Sequence, residues 1–278
     1  MLSFVLCVVL ALCGRLEACE EASQILLFGD SLTEGLLGNA CFRRAHVAGD
    51  GLGACFRPYV LRVAERYEAE KSARVSLEFL TTPPAAVPSG AKPAAGACDA
   101  AHPLGVHLVE AGISGERVDH MVPRLRDLLA GREACFDAVV VLAGTNNLAS
   151  DGADFIADHL HELRRTVARA CPDAAVLSVT LPELIKDHWP GPTATRKAVN
   201  DGLPKRRVVD LDAITCRTCP GAKQSGGDRD ALWNPDGIHF SEAGYAAFGD
   251  AVFYALQAAL ATQHRRRRHR RAPPRRRP

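Results

Sequence analysis

Apolar and polar positions alternate along this chain in two rhythms. Short continuous apolar runs recur at Gln24–Phe28 (QILLF), Val106–Val109, Asp137–Leu142 (DAVVVL), Ala175–Val179 and Arg207–Leu211. Arg74–Leu80 alternates as a half-buried strand does. Between them lie stretches with the helical period. Val60, Val63, Ala64 and Tyr67 share one face of a helix over Tyr59–Tyr67, and Ile156, Leu160, Leu163 and Val167 form a stripe over Phe155–Ala170. Val118–Ala130 and Glu242–Leu260 also read as helices. Strands alternating with helices predict a parallel sheet covered on both faces. The fold class expected is α/β, a three-layer α/β/α sandwich of the flavodoxin-like kind with about five parallel strands. The Pro-, Ala- and Gly-rich stretch Thr81–Pro103 reads as a long loop inserted near one end of the sheet. No internal repeat is present.

Three segments depart from this pattern. Phe4–Cys13 (FVLCVVLALC) has the length of a signal-peptide core and is too short to span a bilayer. Residues 1–18 are therefore expected to be a signal peptide and the protein to enter the secretory pathway. A buried N-terminal element in a cytoplasmic protein is the alternative. At the other end, residues 265–278 (RRRRHRRAPPRRRP) hold nine of the 34 Lys and Arg and no acid. The remainder carries 25 basic against 32 acidic residues, a formal −7, so the net +2 averages an acidic body and a basic tail. Residues 263–278 are expected to be a disordered Arg-rich tail able to contact anionic surfaces. The acidic body and the lack of a recognised motif argue against a dedicated nucleic-acid site.

Cysteine usage points to an oxidising compartment. Without Cys7 and Cys13 of the leader, eight remain: Cys19, Cys41, Cys55, Cys98, Cys135, Cys171, Cys216 and Cys219. They allow up to four disulfides, whose pairing spacing alone does not give. Cys135 and Cys171 can equally be small buried residues. Cys216-x-x-Cys219 has no second pair at zinc spacing and reads as a local disulfide.

Candidate chemistry sits where strands stop and helices begin, the edge at which open parallel sheets bind ligands. Gly29-Asp30-Ser31-Leu32-Thr33-Glu34-Gly35 follows the first strand. A serine there exposes its hydroxyl beside free N–H groups, or simply caps a helix. Gly144-Thr145-Asn146-Asn147 ends the most apolar strand, and an amide side chain there can donate to an oxyanion without titrating, or form a turn. Asp236-Gly-Ile-His239 spaces a carboxylate three residues from an imidazole. One turn then places the carboxylate on Nδ1 and leaves Nε2 as a base. His46, His102, His107, His120, His159, His161, His188, His264 and His269 have no such partner and read as surface or structural residues. Trp189 and Trp233 are candidates for the substrate cleft or the core.

The four motifs GDSLTEG, GISG, GTNN and DGIH, in this order and each at a strand end, resemble those of the SGNH hydrolase superfamily, the GDSL lipases and esterases. The resemblance covers about residues 24–260, and the hydrolase domain is expected over 24–262. It implies a serine ester hydrolase cleaving carboxylic esters through an acyl-enzyme, with Ser31 as nucleophile, His239 as base and acid, and Asp236 orienting it. The implied oxyanion hole is the backbone N–H of Ser31 and Gly115 with the Asn146 side chain. It implies no metal or organic cofactor, and a small-molecule ester, lipid or acetylated carbohydrate as substrate. Asn147 departs from the family, which often has Asp there. An α/β-hydrolase reading fails, because Gly-x-Ser-x-Gly needs glycine where Thr33 stands. A catalytically silent glycan- or lipid-binding module on the same fold is the rival from another class.

Overall fold

The computed structural model describes residues 22–35, 58–80, 105–132, 134–184, 190–216 and 229–271. Six strands form one parallel sheet: β1 (Ser23–Gly29), β2 (Arg74–Phe79), β3 (Gly105–Gly112), β4 (Ala138–Leu142), β5 (Ala175–Val179) and β6 (Val208–Val209), in the order β2-β3-β1-β4-β5-β6. The sheet has six strands, close to the five or so expected, and the last of them, β6, joins β5 through only two residue pairs. β1 is central, pairing with β3 on one side and β4 on the other. Ile25 to Phe28 and Ala138 to Leu142 are accordingly buried at every position, as a strand covered on both faces requires.

The helices are α1 (Ser31–Glu34), α2 (Tyr59–Lys71), α3 (Val118–Ala130), α4 (Ala153–Ala170), α5 (Pro190–Gly202), α6 (Leu211–Thr215) and α7 (Glu242–Arg271). α2 and α6 pack with α7, while α3 packs on α4 and α4 on α5, giving two helical layers around the sheet. The α2–α7 contact is close because Gly249 has no side chain. A Cβ there would stand 2.6 Å from the Arg62 Cβ and 2.8 Å from the Tyr59 carbonyl oxygen. Asp250 beside it accepts from Arg62 Nε at 2.7 Å and Arg66 Nε at 2.8 Å. Tyr59 and Phe248 rings stack below, 4.0 Å apart.

Two expectations change. α5 was not foreseen, since its segment begins Pro-Gly-Pro and buries chiefly Val199 and an ion-paired Arg196 rather than an apolar stripe. α7 runs past Leu260 to Arg271, so part of the span expected to be a disordered tail has helical backbone. Arginine is a good helix former, and the first residue that stops a helix is Pro273. The expected leader, the loop expected at 81–103, Trp189 and five of the eight remaining cysteines, Cys19, Cys41, Cys55, Cys98 and Cys219, lie outside the described residues.

Candidate active site

The C-terminal ends of β1, β3 and β4 lie side by side, Gly29 opposite Gly112 and Leu142. The chain turns sharply after β1. A Cβ on Gly29 would meet Thr33 Oγ1 at 2.2 Å and the Leu142 carbonyl oxygen at 2.5 Å, so only glycine fits. Asp30 caps α1, its Oδ1 accepting from Leu32 N at 3.0 Å. Ser31 is thereby the first residue of a helix directly above the sheet, 5% exposed. Its N–H, at a position with no intrahelical acceptor, donates to no group among the described residues.

The loop before α7 supplies the partner of that serine. Asp236 Oδ1 accepts from the N–H of Ile238 and of His239, each at 3.0 Å, and Gly237 takes φ +68° to close the turn. Trp233 and Phe240 bridge the base of the loop as an antiparallel pair. This fold-back puts His239 Nδ1 2.8 Å from Asp236 Oδ2, and His239 Nε2 3.0 Å from Ser31 Oγ. With its Nδ1–H donating to the carboxylate, the imidazole is left able to accept a hydrogen bond from the Ser31 hydroxyl at Nε2. Burial works to raise the Asp236 pKa. The bonds from the His239 ring and from the two backbone N–H groups outweigh it and hold the carboxyl well below its usual range. Asp236 is therefore an anion throughout the range in which the protein would work.

The opposite wall is the loop after β3. Ser114 donates to Glu34 Oε2 through its N–H, at 2.8 Å, and through its hydroxyl. Glu34 of α1 thus fastens the loop next to Gly115, which adopts φ +78° with open space where a Cβ would stand. The Gly115 N–H has no acceptor among the described residues, whereas the Gly112 N–H is held by Glu110 Oε1. Arg124 braces the same loop from below. Its guanidinium donates to Glu116, to the Ala111 carbonyl at 3.0 Å and to the Gly29 carbonyl at 3.2 Å, and lies over the Phe28 ring.

After β4, Gly144 takes φ +109° and Thr145–Asn147 form one 3-10 turn. The two asparagines diverge. Asn146, half-buried, donates one amide hydrogen to the Glu116 carbonyl at 3.0 Å, which leaves the other. Asn147 is fully buried, accepts from Val118 N at 2.8 Å and donates to Asp151 Oδ2 at 2.8 Å. The residues singled out in the sequence thus meet at one end of the sheet, and the GDSLTEG and DGIH segments are in direct contact. Trp233 is not at a cleft: it is 6% exposed, stacks on Phe240 and donates its indole N–H to the Thr215 carbonyl. His107 is structural, set between Ser76 and Glu78 of the neighbouring strand.

The sequence profile of the GDSL-like lipase/acylhydrolase family matches residues 27–247, most of the described fold. The chain belongs to this family. It is thus a carboxylic ester hydrolase by family, with the motif residues at its strand ends. A comparison with curated proteins finds no match. Among solved structures, the lipase/acylhydrolase from Enterococcus faecalis is similar at 20% identity and a TM-score of 0.53, over 85% of this chain and 96% of that one. A putative GDSL-like lipase from Parabacteroides merdae gives 16% identity and a TM-score of 0.55, over 86% and 98%. A family 3 carbohydrate esterase from Clostridium thermocellum gives 18% and 0.53, over 87% and 98%. At these identities the likeness is one of fold, and it is the fold of the GDSL/SGNH hydrolases.

Proposed function

We propose that this family member cleaves carboxylic esters through an acyl-enzyme on Ser31. The observation that carries the reading is the unbroken hydrogen-bonded line from Asp236 through His239 to Ser31. His239 Nε2 takes the serine proton as Oγ attacks the ester carbonyl, and Asp236 stabilises the imidazolium that forms. The tetrahedral oxyanion is received by the N–H groups of Ser31 and Gly115, which have no acceptor among the described residues, and by the remaining amide hydrogen of Asn146. The imidazolium protonates the leaving alcohol, and water then cleaves the acyl-enzyme by the reverse proton path. The substrate would be a small ester, a lipid or an acetylated carbohydrate. The apolar run Phe4–Cys13 and the cysteine content of the chain support an exported protein.

The test is hydrolysis of 4-nitrophenyl esters from acetate to palmitate. Wild type should turn over at least one chain length. Ser31→Ala should lose at least ~10³-fold in kcat, and Asp236→Asn about 10² to 10⁴-fold, with circular dichroism unchanged. An inactive wild type that still binds glycans or lipid would make the chain a binding module. A fully active Ser31→Ala protein would remove the nucleophile from the mechanism.

A further inference from the structure

At the edge of the sheet remote from Ser31, β4 and β5 enter side by side, with Ala138 opposite Ala175 and the Ala175 N–H donating to the Asp137 carbonyl at 2.8 Å. Cys135 stands just before β4. Cys171 stands just before β5, where its N–H closes the last turn of α4 on the Val167 carbonyl. The strand register therefore brings two cysteines distant in sequence to neighbouring places. Side-chain placement agrees: Cys135 Sγ donates at 3.2 Å to the carbonyl of Ala170, the residue before Cys171, and the Cys135 thiol lies near enough to Cys171 to raise its pKa. Cys135 is exposed, unlike the buried residue it could have been, and Cys171 is buried; both are free thiols in this structure. Cys216, by contrast, is not among the free thiols.

We propose that Cys135 and Cys171 are an oxidative cross-linking site, closed to a disulfide by exchange with a low-molecular-weight disulfide such as oxidised glutathione. The exposed Cys135 thiolate attacks one sulfur of the small disulfide and releases one thiol. Cys171 then attacks the Cys135 sulfur of the mixed disulfide and releases the second. Two protein thiols lose two electrons, the small disulfide gains them, and the two protons end on the released thiols. Burial and the neighbouring Cys135 push the Cys171 thiol up to about 11, so exchange begins at Cys135. The closed loop contains β4, the Thr145–Asn147 turn and the whole of α4. Joining its ends restricts the unfolded chain and leaves the Ser31 edge of the sheet untouched. The proposal does not depend on the ester-hydrolase reading.

Full-length protein is reduced, equilibrated with oxidised glutathione, alkylated and mapped by mass spectrometry. A peptide pair joined through Cys135 and Cys171 is the expected product. Wild type should melt roughly 5–15 °C higher oxidised than reduced, beyond any change that Cys135→Ser shows under the same treatment and that reports the other disulfides. Two alkylated cysteines at these positions after oxidation would overturn the proposal, as would Cys135 joined to a different cysteine or equal melting shifts in the two proteins.

Discussion

Asp30 shows how one residue can serve the site at a cost to stability. It caps α1 through Oδ1, but the side chain is fully buried and Oδ2 has no hydrogen-bond partner among the described residues. Burial lifts its pKa from 3.8 to about 6, against the Leu32 N–H, the Thr145 hydroxyl and His239, which favour the anion. The folded protein therefore binds this proton more tightly than the unfolded chain. The stability it contributes is present below about pH 4, is lost as pH rises through 6, and stays lost above. At pH 7 the loss amounts to ~3 kcal/mol. Asparagine keeps the cap and cannot ionise. The stability of Asp30→Asn relative to wild type, from urea melts, should thus grow between pH 4 and pH 7 and then level off. Parallel stability curves would show that Asp30 is not the group responsible. Ser31, Asp236 and His239 could be found in the sequence because each lies in a short contiguous motif whose spacing is the chemistry. Glu34, Arg124 and Glu116 could not, since they hold the site through partners 80 or more positions away in two cases, Ser114 for Glu34 and Gly29 for Arg124.

At the scale of elements, the start of α3 depends on a residue from another segment. Its N-cap, Arg117, makes no side-chain capping bond, and the Val118 N–H is received by Asn147 instead. The asparagine that replaces the family's frequent aspartate is therefore a cap that acts between elements, while its neighbour Asn146 faces the proposed oxyanion. Asn147→Ala should lower stability by about 1–3 kcal/mol, because it strands a buried N–H and the Asp151 bond, with kcat of the folded protein little changed. Asn146→Ala should leave the melting temperature nearly alone and lower kcat by about 10² to 10³-fold. Thermal melts and steady-state kinetics on the pair decide between these roles. Equal activity with only stability altered would make both asparagines turn residues. Continuous apolar runs make the strands legible, and α3 is legible to its ends because its stripe of Val118, Met121, Val122, Leu125 and Leu129 is unbroken. α5 lacked such a stripe, and the far end of α7 has no apolar face to read.

Across the whole molecule, α7 links the catalytic edge to the opposite one. It begins three residues after His239, and Gln263 donates to the Asp173 carbonyl just before β5, at the edge where the strands enter. The intervening helix is about 33 Å long. The helical start of the Arg-rich segment thus emerges on the side of the fold away from Ser31, and it leaves an acidic body of formal charge −7. A polyanion held there would carry the enzyme without covering its site. Removing residues 264–278 should therefore leave kcat/KM for a small ester within about twofold of wild type. The same truncation should abolish retention on a sulfated-polysaccharide column at ~0.15 M salt, where screening weakens scattered surface charge but not a dense run of arginines. If both forms eluted together, the basic run would be neutralised by the acidic body. If the truncated form lost activity, the segment would have to reach the catalytic edge, which the direction of α7 argues against.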